Sequence, residues 1–393
     1  MRVALLAPLP PARTGIADYA GHWHDAMQAC GVQVLAPLDG VPDADIERAL
    51  AGFDWRGIDL AHAELGGGRG REFLALEYLH RHRPQLPLSA TAHDPERLIW
   101  RAPRLPTWLR KADRLPRPLP QLVSLLDDPR TLARERRLAQ SLRGAVALTA
   151  IGADRLRQRM RLPTDRVQVI PHGNPALACQ PPPDGPLRLL YFGFIYPGKG
   201  IEDLFDALAQ ARAAAPDLRD QLRVTLAGGS APLLAFGSDG HYLRELRARA
   251  ARLHLDDALD WQLDLPATAI PALIMRHHAM VLPYREPRRL RLLGQMRGTS
   301  GALSWAAACG RGAIVSDARA FAEEVSAGNG CVYPAGDVDA LAARLLAVAR
   351  APQQVIAWSA QAARIGHERR WSVIAARFRD WFAHLCGGHS DAS

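Results

Sequence analysis

Lysine is nearly absent. Of 49 lysines and arginines, only Lys111 and Lys199 are lysine. Where any cation would serve, this chain uses arginine, so a lysine in a glycine-flanked loop, as at Lys199, points to a place needing a compact, flexible ammonium. Cysteine is scarce as well: Cys30, Cys179, Cys309, Cys331 and Cys386 stand far apart, with no CxxC and no Cys/His pair at zinc spacing. That argues against a disulfide framework and a structural zinc. No apolar run reaches the ~18 residues that span a bilayer. The opening MRVALLAPLPP lacks the charged region, apolar run and cleavage site of a secretory signal, so a cytoplasmic protein is expected. Four catalytic signatures are missing too. There is no GxGxxG after the first apolar strand, no GxxxxGK[ST] (Gly200 and Ile201 follow Lys199), no GxSxG elbow and no HExxH. Dehydrogenase, P-loop ATPase, hydrolase and zinc-protease readings lose their main support.

What is present is an ordinary globular balance, 48% hydrophobic and 23% charged over 393 residues, enough for two domains. The net charge of +9 is scattered and no recognition motif accompanies it, so no nucleic-acid partner is expected. The short apolar run Val3 to Pro8 closes on a proline-rich loop, as a buried parallel strand does. A helix from Ile16 to Ala29, strands at 32–36 and 58–63, a helix at 72–81 and a strand at 88–92 continue the alternation. Residues 97–120 interrupt it with seven basic residues against one acid (Asp113), five prolines, Trp100 and Trp108. It resumes with a strand at 144–149, a helix at 154–160 and a strand at 167–170.

The stretch Gln180 to Pro186, QPPPDGP, has a linker's composition. Beyond it the pattern repeats, with strands at 187–192, 222–227, 279–283 and 313–316 and helices at 201–214, 241–253 and 301–309. Helices at 341–349 and 372–385 close the chain. The reading is α/β: two Rossmann-like, doubly wound domains with a cleft between them, ligands binding outside the carboxyl ends of the strands.

Five loops sit at those ends. PARTGIADY (11–19) puts Gly15 between strand and helix, where amides can approach a phosphate or sugar. TAHDP (91–95) places His93 beside Asp94, able to bond sugar hydroxyls or move protons. PHGN (171–174) ends the first half. GFIYPGKG (193–200) opens a helix, so its amides and Lys199 could hold a pyrophosphate. MRGTSG (296–301) again stands at a helix start, its small residues baring amides to an anion.

In this order, from PLPPARTGIADY through TAHDP, VIPHGN, LLYFGFIYPGKGIEDL, LAGG and VLPY to TSGALSWAAACGRGAIVSD, these segments resemble the retaining GT-B glycosyltransferases often called family 4. The resemblance covers nearly the whole chain. It implies an acceptor-side Rossmann-like domain over 1–178, a linker over 179–186 and a nucleotide-sugar-binding domain over 187–368. A last helix, 369–386, crosses back to the first domain, and 387–393 is a tail.

It further implies that Lys199 contacts the donor pyrophosphate and stabilises the leaving diphosphate, with no metal and no other cofactor. Gly15 would lie under the donor phosphate and sugar, and His93 would meet the transferred sugar near its reacting carbon. Backbone around Trp261 to Leu263 would read the base, while Asp18, Tyr19 and Asp94 would serve the acceptor side. A glycan or polyprenyl-linked glycan is the implied acceptor, in bacterial surface or exopolysaccharide assembly.

The chain departs from the pattern at three places. Phe194 stands where an arginine usually precedes the lysine, and Arg297 and Trp305 replace a pair of glutamates. The TSGxL version of this helix marks a subgroup, in which Thr299, Ser300, Gly301 and the following amides could replace the lost bonds. One of Arg285, Arg288, Arg289, Arg291 and Arg297 could restore phosphate charge, or the run could be a solvated loop. The basic, tryptophan-bearing 97–120 segment suits an anionic inner-membrane surface or a lipid-linked acceptor, or equally a solvated excursion. The competing reading of the whole is a non-catalytic GT-B protein that binds a nucleotide sugar or a partner enzyme.

Overall fold

The computed structural model describes residues 1–12, 14–66, 70–99, 119–229, 241–286 and 298–387, the stretch 119–127 in backbone only. Trp100, Trp108, Arg288, Arg289, Arg291 and Arg297, with most of the basic segment, lie outside the described residues. The chain divides into two units. The first comprises Met1–Gly173, Arg289–Gly298 and Trp371–Ser393; the second comprises Asn174–Arg288 and Thr299–Arg370. No described helix is long and apolar enough to cross a membrane.

The first unit is built on six parallel strands: β1 (Arg2–Leu6), β2 (Gln33–Leu35), β3 (Leu60–Leu65), β4 (Leu88–Ala92), β5 (Gly144–Ala147) and β6 (Val167–Val169). Their order is β2-β1-β3-β4-β5-β6, so the winding reverses between β1 and β3. One face of β3 and β4 is apolar in the usual way, with Ala61, Ala63, Leu65, Leu88, Ala90 and Ala92 in one core cluster. The other face is covered by the helix Gly15–Ala29 and the C-terminal helix Trp371–Gly387, through Trp23, Ile374, Phe378 and Phe382. Thr14 caps the first of these helices, its Oγ1 accepting from the Ala17 amide at 3.1 Å.

The second unit carries β7 (Leu187–Phe192), β8 (Leu222–Gly228), β9 (Leu259–Leu263), β10 (Ala279–Leu282), β11 (Gly312–Ser316) and β12 (Gly330–Tyr333), also parallel. The order β12-β11-β10-β7-β8-β9 is a doubly wound sheet with its switch point between β7 and β10. The proline-rich stretch is fastened to this unit. Arg311, fully buried, donates to the carbonyls of Gln180, Pro181, Met275, His277, Cys309 and Gly310 at 2.7–3.2 Å. Burial pushes its guanidinium down from its ordinary value, and six carbonyl dipoles stand where a carboxylate would be expected.

All six strands of the first unit are among those expected, with ends shifted by a few residues. The expected strand through Thr149 stops at Ala147, because Thr149 instead caps the helix Ala150–Met160, its Oγ1 accepting from Gly152 N at 3.0 Å. The sequence reading passed over both edge strands of the second unit, β9 and β12. It also passed over the helices Ile46–Gly52, Leu119–Ser141, Ile270–Met275 and Pro352–Glu368.

Candidate functional site

In the second unit the loop after β7 is shaped by glycines that nothing else could replace. Gly200 has φ +69°, and a methyl there would stand 1.7 Å from the Pro283 carbonyl oxygen. Gly228, at the end of β8, has φ +150° and would place its methyl 1.9 Å from the Gly193 oxygen. This close backbone approach brings Lys199 to the end of β10. Its Nζ lies 3.6 Å from the centroid of the Tyr284 ring and 5.0 Å from that of Tyr196. An ammonium at that distance from a buried ring face is favourably placed.

Tyr284 links the elements of this edge. Its hydroxyl lies 3.3 Å from Ser300 Oγ, and its carbonyl accepts from Ser316 Oγ at 2.7 Å. Ser300 in turn caps the helix Gly301–Ala308, accepting from Ala302 N at 3.3 Å. Burial raises the Tyr284 phenol above its ordinary value, against the pull of Ser300 and Arg319, so it stays neutral beside the cations. The Arg319 guanidinium is 5.5 Å from the same ring, and its NH1 reaches the Thr299 carbonyl at 3.4 Å. Arg319 holds φ +58°, a left-handed conformation that costs a non-glycine residue energy. Lys199 and Ser300 thus meet at one tyrosine near the switch point, with the Thr299 carbonyl tied to the Arg319 guanidinium over the same ring and Gly301 opening the capped helix.

Other expected residues are placed differently. Arg285 is paired with Asp203 through two hydrogen bonds, and its backbone amide donates to Gly198 O at 3.1 Å. It braces the lysine loop. Trp261 and Leu263 lie on edge strand β9, where Trp261 packs between Phe205 and Arg247. Two histidines just before β10, His277 and His278, have a structural place: they are buried and bonded internally, His277 Nε2 to Thr225 Oγ1 at 2.8 Å and His278 Nδ1 to Arg188 N at 3.0 Å. Arg297 lies outside the described residues.

In the first unit, the carboxyl ends of β1, β3 and β4 carry a different set. Gly15 opens its helix with open space around it, and Asp18 is exposed, its carboxyl raised by partial burial against the pull of His22. Tyr19 is buried, its ring edge-on to His93 at 4.7 Å, to His172 at 4.9 Å and to Trp371 at 5.1 Å. Burial, and then the charge of Glu64, push its phenol well above the ordinary value. Asp94 is buried near Gly66 and Gly298, and a methyl on Gly298 would stand 2.0 Å from the His93 carbonyl oxygen. Tyr19 and Asp94 are both brought close to His93, while Asp18 stands exposed on the same helix as Tyr19.

Glu64, Tyr284 and Arg319 escaped the sequence reading. Tyr284 had a signal, since VLPY closes a strand, whereas Glu64 and Arg319 had none that composition or spacing could single out.

Two doubly wound parallel units of six strands each make the GT-B fold. Solved structures agree on that fold. Sucrose-phosphate synthase from Thermosynechococcus elongatus superposes with a TM-score of 0.69 at 18% identity, over 99% of this chain and 100% of its own. HepE of Anabaena, in complex with UDP-glucose, gives 0.68 at 15% identity over 98% and 100%. The lipopolysaccharide outer core galactosyltransferase WaaB gives 0.60 at 11% over 97% and 98%. No curated protein sequence matches the chain. The family profile described as "Glycosyl transferases group 1" matches residues 178–364. That stretch is a glycosyltransferase group 1 domain.

Proposed function

We propose that this chain is a retaining, metal-independent enzyme that moves a hexose from a nucleoside-diphosphate sugar to a glycan or polyprenyl-linked glycan, in the assembly of bacterial surface or exopolysaccharide. The observation that carries the reading is the buried Lys199 ammonium on the Tyr284 face, beside the Ser300-capped helix start. As the bond from the anomeric carbon to the diphosphate breaks, the electron pair stays on the diphosphate. A fixed ammonium and helix amides then meet the growing charge without reorganising. Arg319, held on the same ring, adds a second cation. Gly15 and His93 serve the transferred sugar; Asp18, Tyr19 and Asp94 serve the acceptor. HepE, solved with UDP-glucose, and WaaB, a lipopolysaccharide galactosyltransferase, make uridine and a surface glycan the first candidates to test.

The test is calorimetric titration of UDP, GDP, ADP and dTDP into the wild type and Lys199→Ala. Binding of one diphosphate, lost in the variant, supports the donor site. No binding of any of them to the wild type overturns it and leaves the non-catalytic alternative.

A further inference from the structure

The donor chemistry makes no use of Glu64, a fully buried carboxylate near the end of β3. An ion in that position is costly unless charged or polar groups hold it. Strand alternation supplies them. The register pairs His62 with Ser89 and Glu64 with Thr91, so these four share one face of the sheet, and His93 follows two residues beyond Thr91.

The resulting ladder is nearly complete. Glu64 Oε2 lies 2.8 Å from His93 Nε2, and Oε1 lies 3.3 Å from His62 Nε2. His62 is itself fixed, Nδ1 at 3.2 Å from Ser89 Oγ and Nε2 at 3.0 Å from Thr91 Oγ1, with Trp23 stacked on its ring. Burial pushes the Glu64 carboxyl up, but the hydrogen bonds and charges of His62 and His93 outweigh it and hold the group below its ordinary value. Glu64 is therefore a carboxylate at neutral pH, and a carboxylate only accepts. The nitrogen of His93 that faces it must carry the proton.

We propose that Glu64 is a positioning residue that fixes His93 with its Nε2–H turned onto the buried carboxylate, so that Nδ1 is the nitrogen left for a hydroxyl of the transferred sugar. Among the described residues Nδ1 meets no hydrogen-bond partner, and Tyr19 covers the ring from one side. A carboxylate behind the imidazole suits a neutral polyhydroxyl ligand and not a phosphate. The sugar's identity as ligand rests on the function proposed above; the state of the imidazole does not.

The experiment uses the full chain with 15N-labelled histidine, the His93 signal assigned by its loss in His93→Gln. The expected wild-type spectrum has the proton on Nε2 and a bare Nδ1. Glu64→Leu is expected to lose that fixed tautomer and to lower kcat on the order of 10²-fold, as misplacement of an orienting group does. Diphosphate affinity stays within about twofold, because the groups that hold the diphosphate are untouched. Glu64→Gln, whose amide oxygen can still accept, falls between the two and carries the test if the leucine variant does not fold. A wild-type proton on Nδ1 overturns the proposal, as does a folded Glu64→Leu with wild-type kcat and an unaltered His93 signal or, where that variant does not fold, a Glu64→Gln with both unaltered. Absence of any turnover by the wild type strikes the functional reading alone, and the nitrogen spectrum then decides the role of Glu64 by itself.

Discussion

Both sheets are six-stranded, parallel and doubly wound, yet their carboxyl edges hold opposite electrostatics. The edge of the second unit gathers Lys199 and Arg319 on one tyrosine, with a serine-capped helix start beside them. The edge of the first unit gathers a carboxylate between two imidazoles under aromatic cover. The doubly wound scaffold supplies an edge with free loops; the side chains decide which ligand it suits. Concentrated positive charge matches a diphosphate, whereas directed, neutral hydrogen-bonding groups match sugar hydroxyls.

The contrast can be broken most sharply at Lys199. Lys199→Ala is expected to weaken diphosphate binding by about 100-fold and turnover by ~10²–10³, as loss of one fixed charge-stabilising group does. His93→Gln is expected to leave diphosphate affinity within about twofold. Equal losses in the two variants, read by calorimetry, would abolish the division of labour. Next in size is Gly200→Ala, whose methyl meets the Pro283 carbonyl. It is expected to cost at least about 2 kcal/mol in denaturant unfolding, since left-handed strain and overpacking combine.

Arg319→Gly sharpens the comparison through opposite signs. Relief of the φ +58° conformation stabilises the fold by about 1 kcal/mol, while diphosphate affinity falls roughly tenfold, the scale of one charge-assisted hydrogen bond. A variant that is more stable and binds as well as wild type would remove Arg319 from the donor site.

The smallest effect is in acid. The Glu64 carboxyl is held below 4.5, so its contribution to stability is present above that pH and lost as pH falls through the folded value. Burial raises the Asp203 carboxyl above 3.8 despite Arg285, so its contribution is fullest below the unfolded value and is lost as pH rises through the folded one. On acidification the stability gap between wild type and Glu64→Gln should shrink, while that between wild type and Asp203→Asn should shift in favour of wild type. Urea titrations on both sides of pH 4.5 read the two slopes.

What the sequence disclosed follows from burial. Inner strands of both sheets, such as residues 3–6 of β1 and Ala279–Leu282, are buried on both faces and read as continuous apolar runs. The edge strands are half-covered: Leu259-Asp260-Trp261-Gln262-Leu263 alternates, and Gly330-Cys331-Val332-Tyr333 is too short to show a period. The long helix Leu119–Ser141 carries Pro129 inside it and follows a proline-rich segment, which masks its periodicity. Lys199 and His93 could be found because glycine-rich or polar loops follow apolar strands. Glu64 could not, because its position in Leu60–Leu65 looks like the point where a strand has ended, and two of its partners, Thr91 and His93, lie 27 and 29 residues away in sequence. Arg319 takes its meaning from a backbone angle that no residue pattern announces.

The C-terminal helix has a consequence for how the chain comes into being. Trp23 and His62 pack against Phe378 and Phe382, and Gly144 leaves room for Trp381 and Leu385. On a ribosome, residues 1–173 emerge well before this cover, which follows the whole of the second unit. The second unit's residues are all available before the first unit's are. A chain truncated near residue 370 would therefore lose part of the core of the first unit, and the apolar face around Val3, Leu5 and Trp23 must be kept from other chains until residues 371–387 have emerged.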